Sequence, residues 1–204
     1  MIYSNDSLRI VPFERSRHMT DEYRSWFHDS AVTRYNSHGL FPYTPSQMDE
    51  FVKTIEQGNG SKIVWAIEVA MSEAEKKQGK GNYMPPTPKH FEQMSYGWKH
   101  IGNCSLQGIN WINRSAEFAI VLGRGRGKGS GRQACAWVLE HAFLKIGLNR
   151  VWTGTAASNV GMNAVCMQLG MKLEAQWEDG MWLNGEFVTV HGYGITRKRW
   201  NELR

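Results

Sequence analysis

The sequence predicts a single α/β domain spanning residues 1–204. Three observations carry that reading. Strand-like and helix-like apolar patterns alternate along the chain, its 204 residues match the roughly 100–200 of one domain, and 41% hydrophobic residues suffice for a sizeable core.

The elements follow in order. Ile10 and Val11, in Leu8-Arg9-Ile10-Val11, favour a short strand. Thr20-Asp21-Glu22 opens a helix leading to Trp26 and Phe27. In Thr44-Pro45-Ser46-Gln47, Thr44 is a predicted N-cap, Pro45 fits the first helical position and Gln47 closes a capping box. Met48, Phe51, Val52 and Ile55 then share one helix face, and Gly58 stops it. Residues 63–69 read as a strand.

From Ser72 to about Lys99 the composition turns to Lys, Gly, Pro and Gln, with Pro85, Pro86 and Pro88 close together. This predicts a mobile insertion loop at 72–99. Residues 101–112 and 116–122 have strand character, and Asn113-Arg114-Ser115 between them predicts an antiparallel hairpin. After a glycine-rich run, Ala134, Cys135, Val138, Leu139, Ala142, Phe143 and Ile146 define a helix that ends at Gly147. Residues 151–155 form another strand. Asn159 caps a short helix in which Met162, Val165, Cys166 and Leu169 recur at helical spacing before Gly170. Two closing strands, about 172–177 and 187–196, meet at Asn184-Gly185, a hairpin dipeptide.

Several classes of function are excluded or weakened. No stretch reaches the roughly 18 apolar residues of a membrane span, and the N-terminus lacks the apolar core of a secretory signal. Cys104, Cys135 and Cys166 are odd in number and widely spaced, which disfavours a disulfide framework and points to a reducing, cytoplasmic setting. The seven histidines form no H-E-x-x-H, so no metal site is assigned. The formal net charge is +5, but four cations, Arg124, Arg126, Lys128 and Arg132, concentrate the excess in one place.

That place is the run Gly123-Arg124-Gly125-Arg126-Gly127-Lys128-Gly129-Ser130-Gly131, between a strand and a helix. Alternating glycines let backbone N–H groups converge on an anion, and the helix N-terminus adds positive potential. No register supplies the Gly-Lys-Ser/Thr of a Walker A loop. The dinucleotide fingerprint needs glycines at i, i+2 and i+5, which is impossible where every glycine is odd-numbered. What fits is R-x-x-G-x-G, as Arg126-Gly127-Lys128-Gly129-Ser130-Gly131.

Here the sequence resembles the GNAT superfamily of N-acetyltransferases, in which this loop binds the pyrophosphate of acetyl-CoA. Asn159 after the next strand, Leu169-Gly170-Met171 at the end of the following helix, Glu174 and the Asn184-Gly185 turn follow the layout of its RimJ/RimL-type branch, which acetylates ribosomal-protein N-termini and small amines. The resemblance is strongest over residues 101–196. It implies a GNAT fold: a mixed, mostly antiparallel sheet of about six or seven strands, helices on both faces, and a splayed cofactor cleft.

The resemblance also implies roles. The strand Phe118, Ala119, Ile120, Val121 and Leu122 would pair its free backbone with the pantetheine arm of acetyl-CoA, the co-substrate. Arg126, Gly127, Lys128, Gly129, Ser130 and Gly131 would hold the phosphates, and Asn159 would contact the arm. Amine attack on a thioester needs a base, for which Glu117 is the best-placed carboxylate. Where many relatives carry a general-acid Tyr, this chain has Cys166, so Cys166, Ser158 or water is left for that step. Tyr35 and His38, in the segment 34–41, are expected on the acceptor wall.

The expected acceptor is a primary amine, either on a small molecule (an amino sugar or polyamine) or at a protein N-terminus, and the expected assembly is a monomer or homodimer without membrane contact. Two alternatives stay open: a nucleic-acid-associated acyltransferase or binder, less favoured because CoA explains the basic cluster, and a CoA-binding regulatory protein without turnover, suggested by Cys166.

Overall fold

A computed structural model describes residues 2–40, 43–58, 60–78 and 97–204. Among these, eight strands form one sheet in the order β1-β2-β3-β4-β5-β6-β8-β7. They are β1 (Tyr3–Ser4), β2 (Leu8–Pro12), β3 (Ile63–Ala70), β4 (Trp98–Asn110), β5 (Ser115–Leu122), β6 (Arg150–Ala156), β7 (Lys172–Leu183) and β8 (Glu186–Thr196). Every neighbouring pair is antiparallel except β5 and β6. The sheet is thus mixed and mostly antiparallel, as expected, but has one strand more than the six or seven predicted. The addition is β1, a two-residue edge strand whose Tyr3 hydroxyl lies 3.2 Å from His141 Nδ1.

Side-chain alternation puts apolar surface on both faces of the sheet. On β2 and β3, Leu8, Ile10, Trp65 and Ile67 enter the larger core, where they join Val138, Leu139, Phe143 and Ile195. Val11, Val64 and Ala66 enter a second core with Tyr23, Trp26 and Val52. Helices therefore cover both sides. α1 (Arg15–His18), α2 (Asp21–Trp26), α3 (Ser30–Thr33) and α4 (Pro45–Gln57) precede β3. The capping box predicted for α4 is present: Thr44 Oγ1 accepts from Gln47 N–H, and Gln47 Oε1 accepts from Thr44 N–H at 2.9 Å.

Both ends of the segment predicted as a loop at 72–99 carry regular structure. Glu73–Gln78 forms helix α5, whose start is closed by Glu75 accepting from Ser72 N–H, and Trp98 already belongs to β4. Residues 79–96 lie outside the described residues. Helix α6 (Ser130–Glu140) continues into a wider turn at His141–Lys145, where Ile146 N–H bonds to His141 O, before Gly147. Asn159 caps α7 (Val160–Gln168), accepting from Met162 N–H at 3.3 Å. A last helix, α8 (Arg197–Glu202), begins at Thr196.

Candidate active site

A cleft of about 1180 Å³ opens where β5 and β6 part. The two strands pair only over Ser115, Ala116 and Glu117, opposite Arg150, Val151 and Trp152. Beyond Glu117 they separate, while Phe118 to Leu122 keep their partners on β4. One backbone edge of residues 118–122 consequently faces the cleft without a neighbouring strand, opposite Thr153, Gly154 and Thr155. An extended chain with amide groups would complete that edge. The side chains pack as ordinary core: Phe118 is buried, Ile120 and Leu122 lie against the larger core, and Val121 against the second.

At the end of β5 the glycine run explains its own alternation. Gly127 and Gly129 both have φ near +80°, a left-handed conformation that favours glycine, and neither would meet a neighbour if given a Cβ. Left-handed residues alternating with ordinary ones turn successive N–H groups inward, the geometry of an anion nest. Gly129 is the N-cap of α6 and supplies no side chain to the helix end, and the first turn carries no acidic residue. The leading N–H groups of α6 therefore remain available to an anion.

The four clustered cations do not act alike. Arg124 pairs with Glu22 on α2. Arg126 spans back to its own strand, donating through Nε to Leu122 O at 3.0 Å and through Nη1 to Ala31 O, so it staples the loop to α3. Arg132 lines the cleft, as do Arg126, Gly127, Gly129 and Gly131, whereas Lys128 and Ser130 do not.

The remaining predicted site residues divide in two. Glu117, Asn159, Tyr35 and His38 all line the cleft. Glu117 accepts from Gln107 Nε2 at 3.2 Å, and Asn159 Nδ2 donates to Thr155 Oγ1 at 3.0 Å. His38 Nδ1 stands 3.3 Å from the Tyr43 hydroxyl, and desolvation followed by the nearby Lys62 charge lowers its pKa. Ser158 and Cys166, by contrast, are not among the cleft residues. Ser158 is exposed, and Cys166 is fully buried in the larger core, where desolvation pushes its thiol up to about 12. The neighbouring residues Met162 and Val165 present α7 to the cleft instead.

A GNAT acetyltransferase domain profile matches residues 7–172, most of the chain. The chain belongs to the GNAT family. It is 30% identical over 106 residues, 52% of its length, to Bacillus subtilis YdaF, whose name places it among ribosomal N-acetyltransferases, and 27% identical over 101 residues, 49% of its length, to a Vibrio cholerae spermidine N(1)-acetyltransferase. Each match spans 58% of the relative's own length. Among solved structures, spermidine N-acetyltransferase from Vibrio cholerae with CoA and spermine superposes with a TM-score of 0.74 at 18% identity, covering 97% of this chain and 99% of that one. RimL, a ribosomal L7/L12 α-N-protein acetyltransferase with CoA, gives 0.72 at 14% identity over 94% and 95%. At those identities the two structures speak to the fold, and it is the GNAT fold. No helix among the described residues is long and apolar enough to cross a membrane.

Sequence reasoning missed two residues that matter to this GNAT cleft: Gln107, which lines it, and Asn163, which does not. Asn163 is buried on α7, donates to Asn159 O at 2.7 Å, and accepts from Tyr193 Oη and from His191 Nδ1, both at 2.8 Å, locking α7 to β8 behind the cap. Its distance of four residues from the cap Asn159 was the only available signal.

Proposed function

We propose that this GNAT domain transfers acetyl from acetyl-CoA to a primary amine by direct attack. The observation that carries the reading is the continuity of one cleft past the glycine loop, the unpaired edge of β5 and a single carboxylate. In this reading, the N–H groups of the loop and the start of α6 hold the pyrophosphate, with Arg132 adding charge. The free edge of residues 118–122 binds the pantetheine arm as an added strand and offers backbone donors to the thioester oxygen.

Glu117 receives a proton from the acceptor ammonium, directly or through one water, which frees the nitrogen lone pair. The new C–N bond forms at the acetyl carbonyl carbon, the C–S bond breaks, and the thiolate leaves to be protonated. The burial of Cys166 away from the cleft and the exposure of Ser158 favour water as that last proton source. Asn159 keeps its cap role and orients Thr155 at the thioester end. Tyr35 and His38 form part of the acceptor wall. The relatives named above act on a polyamine and on ribosomal proteins, so a small amine and a protein N-terminus are both within reach of such a site.

Free-thiol release from acetyl-CoA over amino sugars, polyamines, amino acids and N-terminal peptides tests the proposal, alongside calorimetry of acetyl-CoA binding. Turnover with at least one primary amine is expected. Tight acetyl-CoA binding without turnover on any amine would favour a CoA-binding regulatory role instead.

A further inference from the structure

The charge of the cleft is one-sided. Among the described residues that line it, Glu117 is the one carboxylate, against Arg34, Lys62, Arg126 and Arg132. Arg126 and Arg132 belong to the phosphate loop. That leaves Arg34 and Lys62 at the acceptor end, a balance that repels a polycation, whose second and third ammonium groups would each need an acid.

Lys62 has a defined place. Lys62 directly precedes β3, whose Ile63 pairs with Leu106, and Gln107 pairs with Glu117; Ile109 N–H donates to Ser61 O at 2.9 Å, one residue out of that register, so the chain stays beside β4 through a bulge. Lys62, at the entry to β3, and the Gln107–Glu117 pair of β4 and β5 line the same cleft. Two strand spacings, about 10 Å, separate β3, which Lys62 precedes, from β5, which carries Glu117. Lys62 Nζ sits 4.8 Å from the centre of the Phe51 ring, and no carboxylate among the described residues lies within ion-pair distance of it. After burial, its charge is the second cause that lowers the His38 pKa.

We infer that the acceptor is a primary amine that also carries an anionic group, a carboxylate or a phosphate, bound by Lys62 while its amine meets Glu117. The inference rests on the acetyl-transfer reading and narrows it: Gln107 is the spacer between the two charged ends, and the Phe51 ring fixes the ammonium on the cleft face. An anion at Lys62 makes a charge-assisted hydrogen bond in a partly desolvated setting, whereas an uncharged acceptor of the same shape leaves the lysine unpaired. Selectivity comes from the acceptor, not from CoA.

Matched pairs of acceptors test this by thiol release: glucosamine against glucosamine 6-phosphate, cadaverine against 6-aminohexanoate, and an N-terminal Ala-Lys peptide against Ala-Glu. The anionic member of at least one pair is expected to show about tenfold higher kcat/KM, carried mainly by KM. The pair that responds separates phosphate, free carboxylate and acidic peptide as the source. In Lys62→Gln that preference should disappear while the kcat/KM of glucosamine stays within twofold, and Lys62→Arg should restore it in part. Equal or better turnover of the non-anionic member in all three pairs overturns the inference and leaves amine acetylation intact. Absence of turnover with every amine removes acetyl transfer itself.

Discussion

Gln107 Nε2 donates to Glu117 Oε2 across the β4–β5 pair at 3.2 Å, which orients the one carboxylate among the described cleft residues. The bond lies just before the register of the two strands shifts, between Gln107 and Asn110. On the proposed reaction, Glu117 Oε1 is the oxygen left for the amine. Glu117→Gln should lower kcat by about 100-fold or more, the usual weight of a general base, with the acetyl-CoA Kd unchanged by calorimetry. Gln107→Leu should give a smaller loss in kcat, because the carboxylate loses the donor that orients it. A Glu117→Gln enzyme with the wild-type pH profile would remove Glu117 from proton transfer.

The loop makes a sharper demand on its backbone than on its side chains. Gly129 has φ +80° and caps α6 with no side chain. Gly129→Asp brings a Cβ into a left-handed conformation, costing about 1–2 kcal/mol, and places negative charge where an anion is to bind. Acetyl-CoA affinity should fall by about 100-fold or more. Gly127→Ala carries the strain without the charge and should lose roughly tenfold. Calorimetric titration with acetyl-CoA distinguishes them, and equal affinity in all three proteins would take the phosphates out of this loop.

These contrasts show what a sequence can carry. The Thr44-Pro45-Gln47 start of α4 and the Asn159 cap of α7 were legible because a cap is settled within four residues of chain. The strand-loop-helix around Gly129 was legible for the same reason. Strand β1 was not, since two residues show no period, and α1 and α8 are too short to present an apolar stripe. The role suggested for Cys166 turned on a rotation the pattern does not record. Val165 lines the cleft, and one further residue turns the side chain by about 100° around the helix, into the core. The Gln107–Glu117 pair and the approach of Lys62 to the same cleft need the tertiary arrangement of the strands, which composition and spacing leave open.

At the end of β3 and β4 away from Lys62 and Gln107 lies a buried ionic group. Glu68 accepts from Arg9 Nε and Arg17 Nη2, both at 2.6 Å, and is 3.2 Å from His18 Nε2. Burial alone would raise the Glu68 carboxyl, but the His18 hydrogen bond and the two guanidinium charges reverse this and hold it low. His100, edge-on to His18 at 5.0 Å between ring centres, is pulled down to about 4 by burial first and by His18 second. Its Nε2 lies 2.8 Å from Asn103 Oδ1 and 3.0 Å from Gly102 O, while Nδ1 is buried without a partner. An unfolded chain therefore takes up a proton at position 100 near pH 6.5 that the folded protein refuses until about pH 4. Folding stability should fall over that window as pH drops, by up to about 3 kcal/mol, and Glu68 adds to the loss at its lower end. Thermal melts from pH 7 to pH 4.5 should show the decline, and His100→Asn should flatten it. An unchanged slope in that variant would place the titration elsewhere.

The basic cluster gives the last contrast, because position in the fold separates residues that look alike in the sequence. Arg124 is committed to Glu22, an exposed pair of the kind that contributes little to stability, and it does not line the cleft. Arg132, two residues into α6, does line it. Arg132→Ala should therefore weaken acetyl-CoA binding by about tenfold and reduce its dependence on salt, since one charge-assisted contact to phosphate is lost. Arg124→Ala should leave the affinity within about twofold. Calorimetric titrations at low and high salt measure both. Equal losses from the two variants would mean that the cluster acts as a diffuse field over the loop, with no directed contact from α6.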